Sequence, residues 1–171
     1  MKVCIVCAGN ICRSPMAEVV FRSRLADVGL QDMVEIESAG TGAWHVGEPA
    51  DPRAVDTLRA HGYEPGHHRA RQFQKSWFDD VDLVLALDSA NVTNLHRLAP
   101  NEEARAKIRM LRDVGSEGRD GGDAEVDVPD PYYGGDGGFE LVLQLVEQAA
   151  DDFLDAIRDT RDGQVRTPSR S

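Results

Sequence analysis

The chain has 171 residues, of which 41% are hydrophobic and 29% charged, and its 30 acidic and 19 basic side chains give a net charge of −11. This length suits one domain with its own hydrophobic core, and the acidic balance argues against a general nucleic-acid or anionic-membrane binder, because phosphate groups are neutralised by clustered Lys and Arg. There is no apolar run of about 18 residues and the N-terminal apolar run is too short for a signal peptide, so we expect a cytoplasmic protein without a membrane span.

Short apolar runs alternate with amphipathic segments along the chain. Strands are predicted at Lys2–Val6, Val34–Ser38, Val81–Leu87 and around Lys107–Leu111. Helices are predicted from Ser14-Pro15 to near Gly29 and at Pro52–His61, Ser89–Leu98 and Phe139–Ile157. The Gly- and Asp-rich segment Asp113–Gly138 is typical of a long loop. The alternation predicts one α/β domain over residues 1–160, with a mostly parallel four-stranded sheet covered by helices on both faces, and a flexible tail over residues 161–171.

The three cysteines, Cys4, Cys7 and Cys12, all lie within the first twelve residues. An odd, clustered set is a poor disulfide framework. The sequence CIVC matches the C-x-x-C of redox and zinc sites, but in a strand Cys4 and Cys7 would point to opposite faces. Since no later Cys and no spaced His pair completes a tetrahedral site, we expect neither a metal nor another cofactor.

The stretch VCAGNICRSPMAE, Val6–Glu18, places a thiol, five residues and an arginine where the first strand gives way to the first helix. Ligands of parallel sheets bind at the carboxyl ends of strands. Gly9 permits a positive φ and Asn10 tolerates one, so the backbone amides and the helix N-terminus can form an anion cradle. Arg13 adds a fork that can hold two phosphate oxygens. Cys7, at the head of this cradle, is then a thiolate nucleophile facing a bound oxyanion, which favours phosphoryl transfer through a cysteinyl-phosphate.

This stretch resembles the signature of the low-molecular-weight protein tyrosine phosphatases. DPYYGG (Asp130–Gly135) resembles the second signature of that family, and Ser38–Ala54 and His68–Phe73 are similar to it too, so the resemblance runs from Lys2 to about Ile157. Ala8 departs from the pattern, because Leu or Thr is commoner there. The resemblance implies a metal-free enzyme that hydrolyses phosphotyrosine in protein substrates, with inorganic phosphate as product and competitive ligand.

Expelling a phenolate with a pKa of about 10 near neutral pH needs a proton donor. Asp130 lies between Pro129 and Pro131, which stiffen its backbone. Its place in the second signature implies that it is the general acid, and once deprotonated it could activate water against the phosphoenzyme. Asp127 and Asp136 are the alternative acids.

The resemblance implies supporting roles for further residues. The phosphate-binding residues would be Ala8, Gly9, Asn10, Ile11, Cys12, Arg13 and Ser14. The residues that brace this loop would be Asn10, Ser14, Ser38, His68 and Asp88. The walls of the phosphotyrosine pocket would be Trp44, Tyr132 and Tyr133. Some of these have ordinary alternatives: Trp44 could be surface cover, His68 a surface histidine, and Asp88 a helix cap.

Cys12 shares the tight loop with Cys7, which predicts a reversible disulfide that would shield an oxidised nucleophile. The alternative is that Cys12 only packs beneath the loop. Two other functions compete with the phosphatase. A thioredoxin-coupled arsenate reductase would need further cysteines, and none follows Cys12. A catalytically silent phosphotyrosine-binding module would need neither the nucleophile nor the acid.

Overall fold

A computed structural model describes residues 1–114, 127–132 and 137–166, with the side chains of the last helix described as far as Asp159. Four parallel strands, in the order β2-β1-β3-β4, form one sheet. They are β1 (Lys2–Cys7), β2 (Glu35–Gly40), β3 (Leu83–Ala86) and β4 (Ile108–Met110). The helices are α1 (Arg13–Asp27), α2 (Pro52–Ala60), α3 (Ser89–Leu98), α4 (Glu102–Ala106) and α5 (Gly137–Arg166), with 3₁₀ helices at Lys75–Asp79 and Leu111–Asp113.

The sheet is buried on both faces, as β1 illustrates. Val3, Ile5 and Cys7 enter a core built with α1, α2 and α5, whereas Cys4 and Val6 enter a second core with α3 and α4. A strand whose two faces are both covered must be apolar throughout, which explains its continuous hydrophobic run. The predicted α/β class with helices on both faces is therefore confirmed, and Cys4 and Cys7 do point to opposite sides.

The boundaries differ from the sequence-based expectation at several places. The short α4 and both 3₁₀ helices were not predicted, because a single turn leaves too little periodicity to detect. β2 continues to Gly40, and α5 continues to Arg166, past the predicted end at Ile157. The apolar stripe used to predict α5 ends where the core ends, while the backbone hydrogen bonding of a helix continues without it. The boundary at residue 160 stays a prediction; most of the predicted loop Asp113–Gly138 lies outside the described residues, as do residues 167–171.

The start of α1 also corrects a prediction. The helix begins at Arg13, one residue before the predicted start at Ser14, and Cys12 is in the N-cap position. Ser14 lies inside the first turn, and its hydroxyl contacts Cys7.

The carboxyl ends of β1 and β3 lie side by side in the middle of the sheet. The chain passes from β1 to β2 on one side of β1 and then to β3 on the other side. The strand order therefore reverses between β1 and β3, and parallel sheets bind ligands at such a switch point. Cys7 ends β1 and Asp88 follows β3, so the N-termini of α1 and α3 both start at this edge. None of the helices in the described part of the chain is long and apolar enough to cross a membrane.

Candidate active site

Cys7 is 3% exposed at the end of β1, and its sulfur faces the start of α1. The Cys7 Sγ lies 2.9 Å from Ser14 Oγ and accepts the backbone N–H of Asn10 at 3.2 Å. Both groups can donate to a thiolate at this position. Nucleophile and helix start are thus held together by the loop itself.

Asn10 is the centre of the loop that joins β1 to α1. It is fully buried, and its φ of 59° lies in the left-handed region that Asn tolerates. Its Nδ2 donates to Ser14 Oγ at 2.8 Å and to Ser38 Oγ at 3.1 Å, while its Oδ1 accepts the backbone N–H of Arg71 at 2.9 Å. One side chain therefore ties the loop to α1, to β2 and to the segment before the first 3₁₀ helix.

Of Gly9 and Asn10, the two loop residues for which the sequence allows a positive φ, Asn10 has it. A Cβ at Gly9 would lie 2.9 Å from His45 Cδ2, so a larger residue there would displace the His45 side chain. Gly40 allows two backbone segments to lie close together, because a Cβ at this position would be 2.7 Å from the Ala8 carbonyl oxygen. The loop therefore packs directly against the loop that follows β2.

His68 braces the loop from outside. Its Nε2 lies 2.6 Å from the carbonyl oxygen of Asn10, which can only accept, so Nε2 carries the proton. Burial lowers the pKa of His68, and this effect outweighs the hydrogen bond to Asn10, which acts in the opposite direction. The lowered pKa favours the neutral ring. The neighbouring His67 is exposed. His68 therefore contacts the loop directly, and its supporting role stays a prediction.

Sequence reasoning missed Glu18, which extends the same network. Its Oε1 accepts the hydroxyl of Ser38 at 2.5 Å, and its other oxygen pairs with Arg22 one turn later on α1. Glu18 closes the stretch that carries Cys7, and that position was the only signal available in the sequence.

Arg13 is 3% exposed and reaches towards the end of β3. Its Nη1 donates to Asp88 Oδ2 at 2.6 Å and to the carbonyl oxygen of Val128 at 3.0 Å, and its Nη2 lies 3.7 Å from Asp130 Oδ2. Burial by itself would lower the pKa of Arg13, but the charge of a Cys7 thiolate and the two carboxylates outweigh burial and raise it. A permanent cation therefore lies beside the thiol.

Asp88 has both placements that the sequence left open. Its Oδ2 holds Arg13, and its Oδ1 caps α3 by accepting the backbone N–H of Asn91 at 2.8 Å. The Asn91 side chain accepts the Asp88 N–H in return, which completes a capping box. The two roles are compatible because each carboxylate oxygen has its own partner.

Asp130 lies above the loop, and its side chain is 49% exposed. Its Oδ1 accepts the backbone N–H of Tyr132 at 3.0 Å, which leaves Oδ2 on the side of Arg13. The alternative acid Asp127 is turned away from the cleft, because its Oδ1 accepts from both the N–H and the hydroxyl of Ser89. Asp136 and Tyr133 lie outside the described residues.

These residues surround one cleft of about 430 Å³. Its lining consists of Cys7, Ala8, Gly9, Asn10, Ile11, Cys12, Arg13, Trp44, His45, Asp130 and Tyr132. No side chain of the described residues caps the start of α1, so its first-turn amides are available to an anion at the loop. Ser14, Ser38, His68 and Asp88 are not part of this lining, and their role in supporting the loop stays a prediction.

The cleft has aromatic sides. Trp44 is 71% exposed at the rim, with its ring over Gly42, where a Cβ would lie 2.0 Å from it. On another side lies Tyr132, whose ring centroid is 6.2 Å from that of His45. His45 was missed by sequence reasoning, although it follows Trp44 directly.

Cys12 lies on the wall of the cleft, close enough to Asp51 to feel the charge of that carboxylate. Burial, with the charge of Asp51 second, raises the pKa of Cys12 to about 12. Asp51 also forms a pair of hydrogen bonds with Arg53, whose guanidinium lies 5.5 Å from the ring centroid of Tyr132. Neither Asp51 nor Arg53 was predicted. All three cysteines are free thiols, and the disulfide between Cys7 and Cys12 stays a prediction.

Comparison with known proteins gives a consistent result. A family model described as low molecular weight phosphotyrosine protein phosphatase matches residues 2–163. A low molecular weight protein-tyrosine-phosphatase of Streptomyces coelicolor is 55% identical over 96% of this chain and 98% of its own length. A low molecular weight phosphotyrosine protein phosphatase of Schizosaccharomyces pombe is 42% identical over 92% of this chain and 97% of its own. Among solved structures, a protein tyrosine phosphatase of Entamoeba histolytica with Hepes in its active site superposes with a TM-score of 0.84 at 32% identity, covering 94% and 99% of the two chains.

Proposed function

The chain belongs to the low molecular weight phosphotyrosine protein phosphatase family and is a cysteine-based protein tyrosine phosphatase, and we propose that Cys7, Arg13 and Asp130 carry out its reaction. The observation that carries this assignment is their convergence on one cleft from two parts of the chain, the loop that holds Cys7 and Arg13 and the segment that holds Asp130 more than a hundred residues later. A thiol, a fixed cation and a half-exposed carboxyl are the groups that cleavage of a phosphate monoester needs.

The first step transfers the phosphoryl group to the enzyme. The backbone amides of residues 8–14 and the Arg13 guanidinium hold the three non-bridging oxygens. The Cys7 thiolate attacks phosphorus, an S–P bond forms, and the P–O bond to the phenol breaks. Asp130 gives its proton to the departing phenolate oxygen, so a neutral phenol leaves and a carboxylate remains.

The second step returns the enzyme to its starting state. The Asp130 carboxylate takes a proton from a water molecule, whose oxygen attacks phosphorus. The S–P bond breaks, the Cys7 thiolate is restored and inorganic phosphate leaves. Because phosphate occupies the same cradle as the substrate, it is also a competitive ligand.

The substrate class follows from the walls of the cleft. Trp44 and Tyr132 flank the route to Cys7, so an aromatic ring can stack beside them while its phosphate reaches the loop. Phosphoserine lacks that ring and is too short to use the same walls. Phosphotyrosine-containing proteins are therefore the substrates that the site accommodates best. A cytoplasmic location stays a prediction.

Neither competing function is favoured. The sequence has no cysteine after Cys12 to carry oxidation away from an arsenate-reducing centre. A silent binding module would need no acid above the loop.

The direct test is hydrolysis of para-nitrophenyl phosphate in the presence of EDTA by wild type, Cys7→Ser and Asp130→Asn. We expect wild-type turnover to survive the chelator, Cys7→Ser to abolish it, and Asp130→Asn to reduce kcat by about 100-fold or more. Fully reduced wild type that binds a phosphotyrosine peptide but turns nothing over would make the protein a binding module.

We also propose that Cys12 protects Cys7. Mild peroxide should inactivate the enzyme, and a thiol reductant should restore it through a reversible disulfide. If Cys12→Ser recovers as fully as wild type, the protective role is wrong.

A further inference from the structure

The segment that carries Asp130 is attached to the rest of the molecule three residues earlier, at Asp127. The Asp127 Oδ1 accepts two hydrogen bonds from one residue of α3: the backbone N–H of Ser89 at 3.0 Å and the Ser89 hydroxyl at 2.9 Å. These are the contacts that turn Asp127 away from the cleft. Its carboxylate therefore holds the chain in place and does not face the substrate.

Neighbouring backbone atoms strengthen this attachment. The Val128 N–H donates to the carbonyl oxygen of Leu87 at 2.7 Å, and Arg112 Nη1 donates to the carbonyl oxygen of Asp127 at 3.1 Å. The Val128 carbonyl oxygen in turn accepts from Arg13 at 3.0 Å. The residues just before the acid are thus fixed to the end of β3 and to the phosphate-binding cation.

The N-terminus of α3 is suited to this task. Ser89 is the first residue of the helix, where backbone N–H groups lack acceptors within the helix and the helix dipole favours a carboxylate. Asp88, one residue earlier, holds Arg13. Two adjacent residues therefore set the position of the cation and the position of the acid segment relative to each other.

We propose that Ser89 and Asp127 are positioning residues that hold Asp130 over the phosphate loop at the distance that proton transfer requires; this rests on the proposed role of Asp130 as general acid. Proton transfer needs the donor within about 2.6–3.2 Å of the leaving oxygen. Pro129 and Pro131 stiffen the chain around Asp130, so a shift at Asp127 is passed on to the acid. A displacement of about 1 Å is enough to slow such a step strongly.

The proposal makes a prediction that general loosening of the structure does not. A poor leaving group such as phenol needs the proton, whereas 2,4-dinitrophenol leaves as a stable anion and does not. Loss of acid positioning should therefore slow phenyl phosphate more than 2,4-dinitrophenyl phosphate. Damage to phosphate binding or to folding should slow both substrates equally.

The experiment measures kcat/KM for both substrates and takes their ratio, phenyl over dinitrophenyl. Ser89→Ala removes the hydroxyl and keeps the backbone N–H, and we expect the ratio to fall about 5-fold, as for one lost hydrogen bond. Asp127→Ala removes both bonds and should lower the ratio further. Ser89→Thr keeps a hydroxyl and should have the wild-type ratio. The comparison of Ser89→Ala with Ser89→Thr therefore tests the proposal even if Asp127→Ala does not fold.

Two controls separate the proposal from its premise. Thr93→Ala removes a hydroxyl that donates to the Ser89 carbonyl oxygen at 3.1 Å without contacting Asp127, so its ratio should equal that of wild type. In Asp130→Asn the ratio should fall most, and adding Ser89→Ala to it should lower the ratio no further, because the two residues act in series.

The outcomes are distinct. If Asp130→Asn slows both substrates equally, the general acid is misassigned and the proposed mechanism fails. If Asp130→Asn lowers the ratio but Ser89→Ala and Asp127→Ala leave it unchanged, only the positioning role is overturned. An additive loss in the double variant would also overturn it.

Discussion

The proposed phosphate loop, residues 7–14, and the proposed acid segment, residues 127–132, both contribute to the lining of one cleft, yet they are held in opposite ways. The loop of residues 7–14 is buried and bonded on several sides, through Asn10 to α1 and β2 and through His68 to the segment after α2. The acid segment is attached at its stem, while the Asp130 side chain is half exposed. A nucleophile and an anion cradle need a preorganised geometry, whereas a proton donor must reach both the leaving group and water.

This contrast predicts different consequences of mutation. Changes in the loop network should cost stability and activity together, because the same hydrogen bonds maintain the fold and the cradle. Changes in the acid segment should cost turnover with little loss of stability.

The largest expected effect is at Asn10. Asn10→Ala removes two buried hydrogen bonds and one half-buried one and places Ala at a positive φ, so we expect the free energy of unfolding to fall by about 3–4 kcal/mol. Urea unfolding measures the loss, and phosphate affinity should fall in parallel. Asn10→Gly loses the same bonds without the backbone strain and should recover about 1 kcal/mol. If both variants are as stable as wild type, the loop does not depend on this network.

The second effect is at Asp88, which links the two regions. In Asp88→Asn the amide oxygen can still cap α3 but the buried Arg13 loses a charged partner, so kcat/KM should fall by about 10- to 100-fold and the free energy of unfolding by about 1–3 kcal/mol. The measurement is steady-state kinetics alongside urea unfolding. Asn101→Ala removes the cap of α4, which is not part of the cleft lining, and should leave kcat/KM unchanged. An Asp88→Asn enzyme with wild-type kinetics would show that Arg13 needs no carboxylate to orient it.

The third effect is a pH dependence of stability that originates in the loop network. Burial lowers the pKa of His68 in the folded protein. Below a pH of about 6.5, therefore, the His68 imidazole takes up a proton more readily in the unfolded chain than in the folded protein. Stability should therefore be fully present above this pH and should decline as the pH falls below it. The midpoint of urea unfolding, measured from pH 8 to pH 5, should show the decline in wild type and a shallower one in His68→Gln. Equal slopes would mean that His68 titrates normally.

The smallest effect is expected in the acid segment. In Asp130→Asn the amide oxygen can still accept the Tyr132 N–H, and the lost partner is Arg13 at 3.7 Å from a half-exposed carboxylate. We expect stability to change by no more than about 0.5 kcal/mol although turnover collapses. A large loss of stability on urea unfolding would show that Asp130 is also a structural residue.

Several features of the site could be predicted because they are local. The distance from Cys7 to Arg13 spans one tight loop and one helix start, whose geometry depends on neighbours in the chain. The pairing of β1 with its neighbours follows from apolar runs that alternate with helices. The prediction of Asp130 as the acid needed the family resemblance as well, because Asp130 and Arg13 are more than a hundred residues apart in the sequence although they are close in space.

By itself, then, the sequence determined the α/β class, the order of the main elements and the place of Cys7 between the first strand and the first helix, because these depend on short-range backbone preferences and hydrophobic periodicity. Only the tertiary structure decided that Glu18, His45 and the Asp51–Arg53 pair belong to the site, and that Ser89 holds the stem of the acid segment. The physical reason is that a hydrogen bond between distant segments depends on how helices pack on the sheet, and that packing leaves no periodic or spaced pattern in the residues that make the bond.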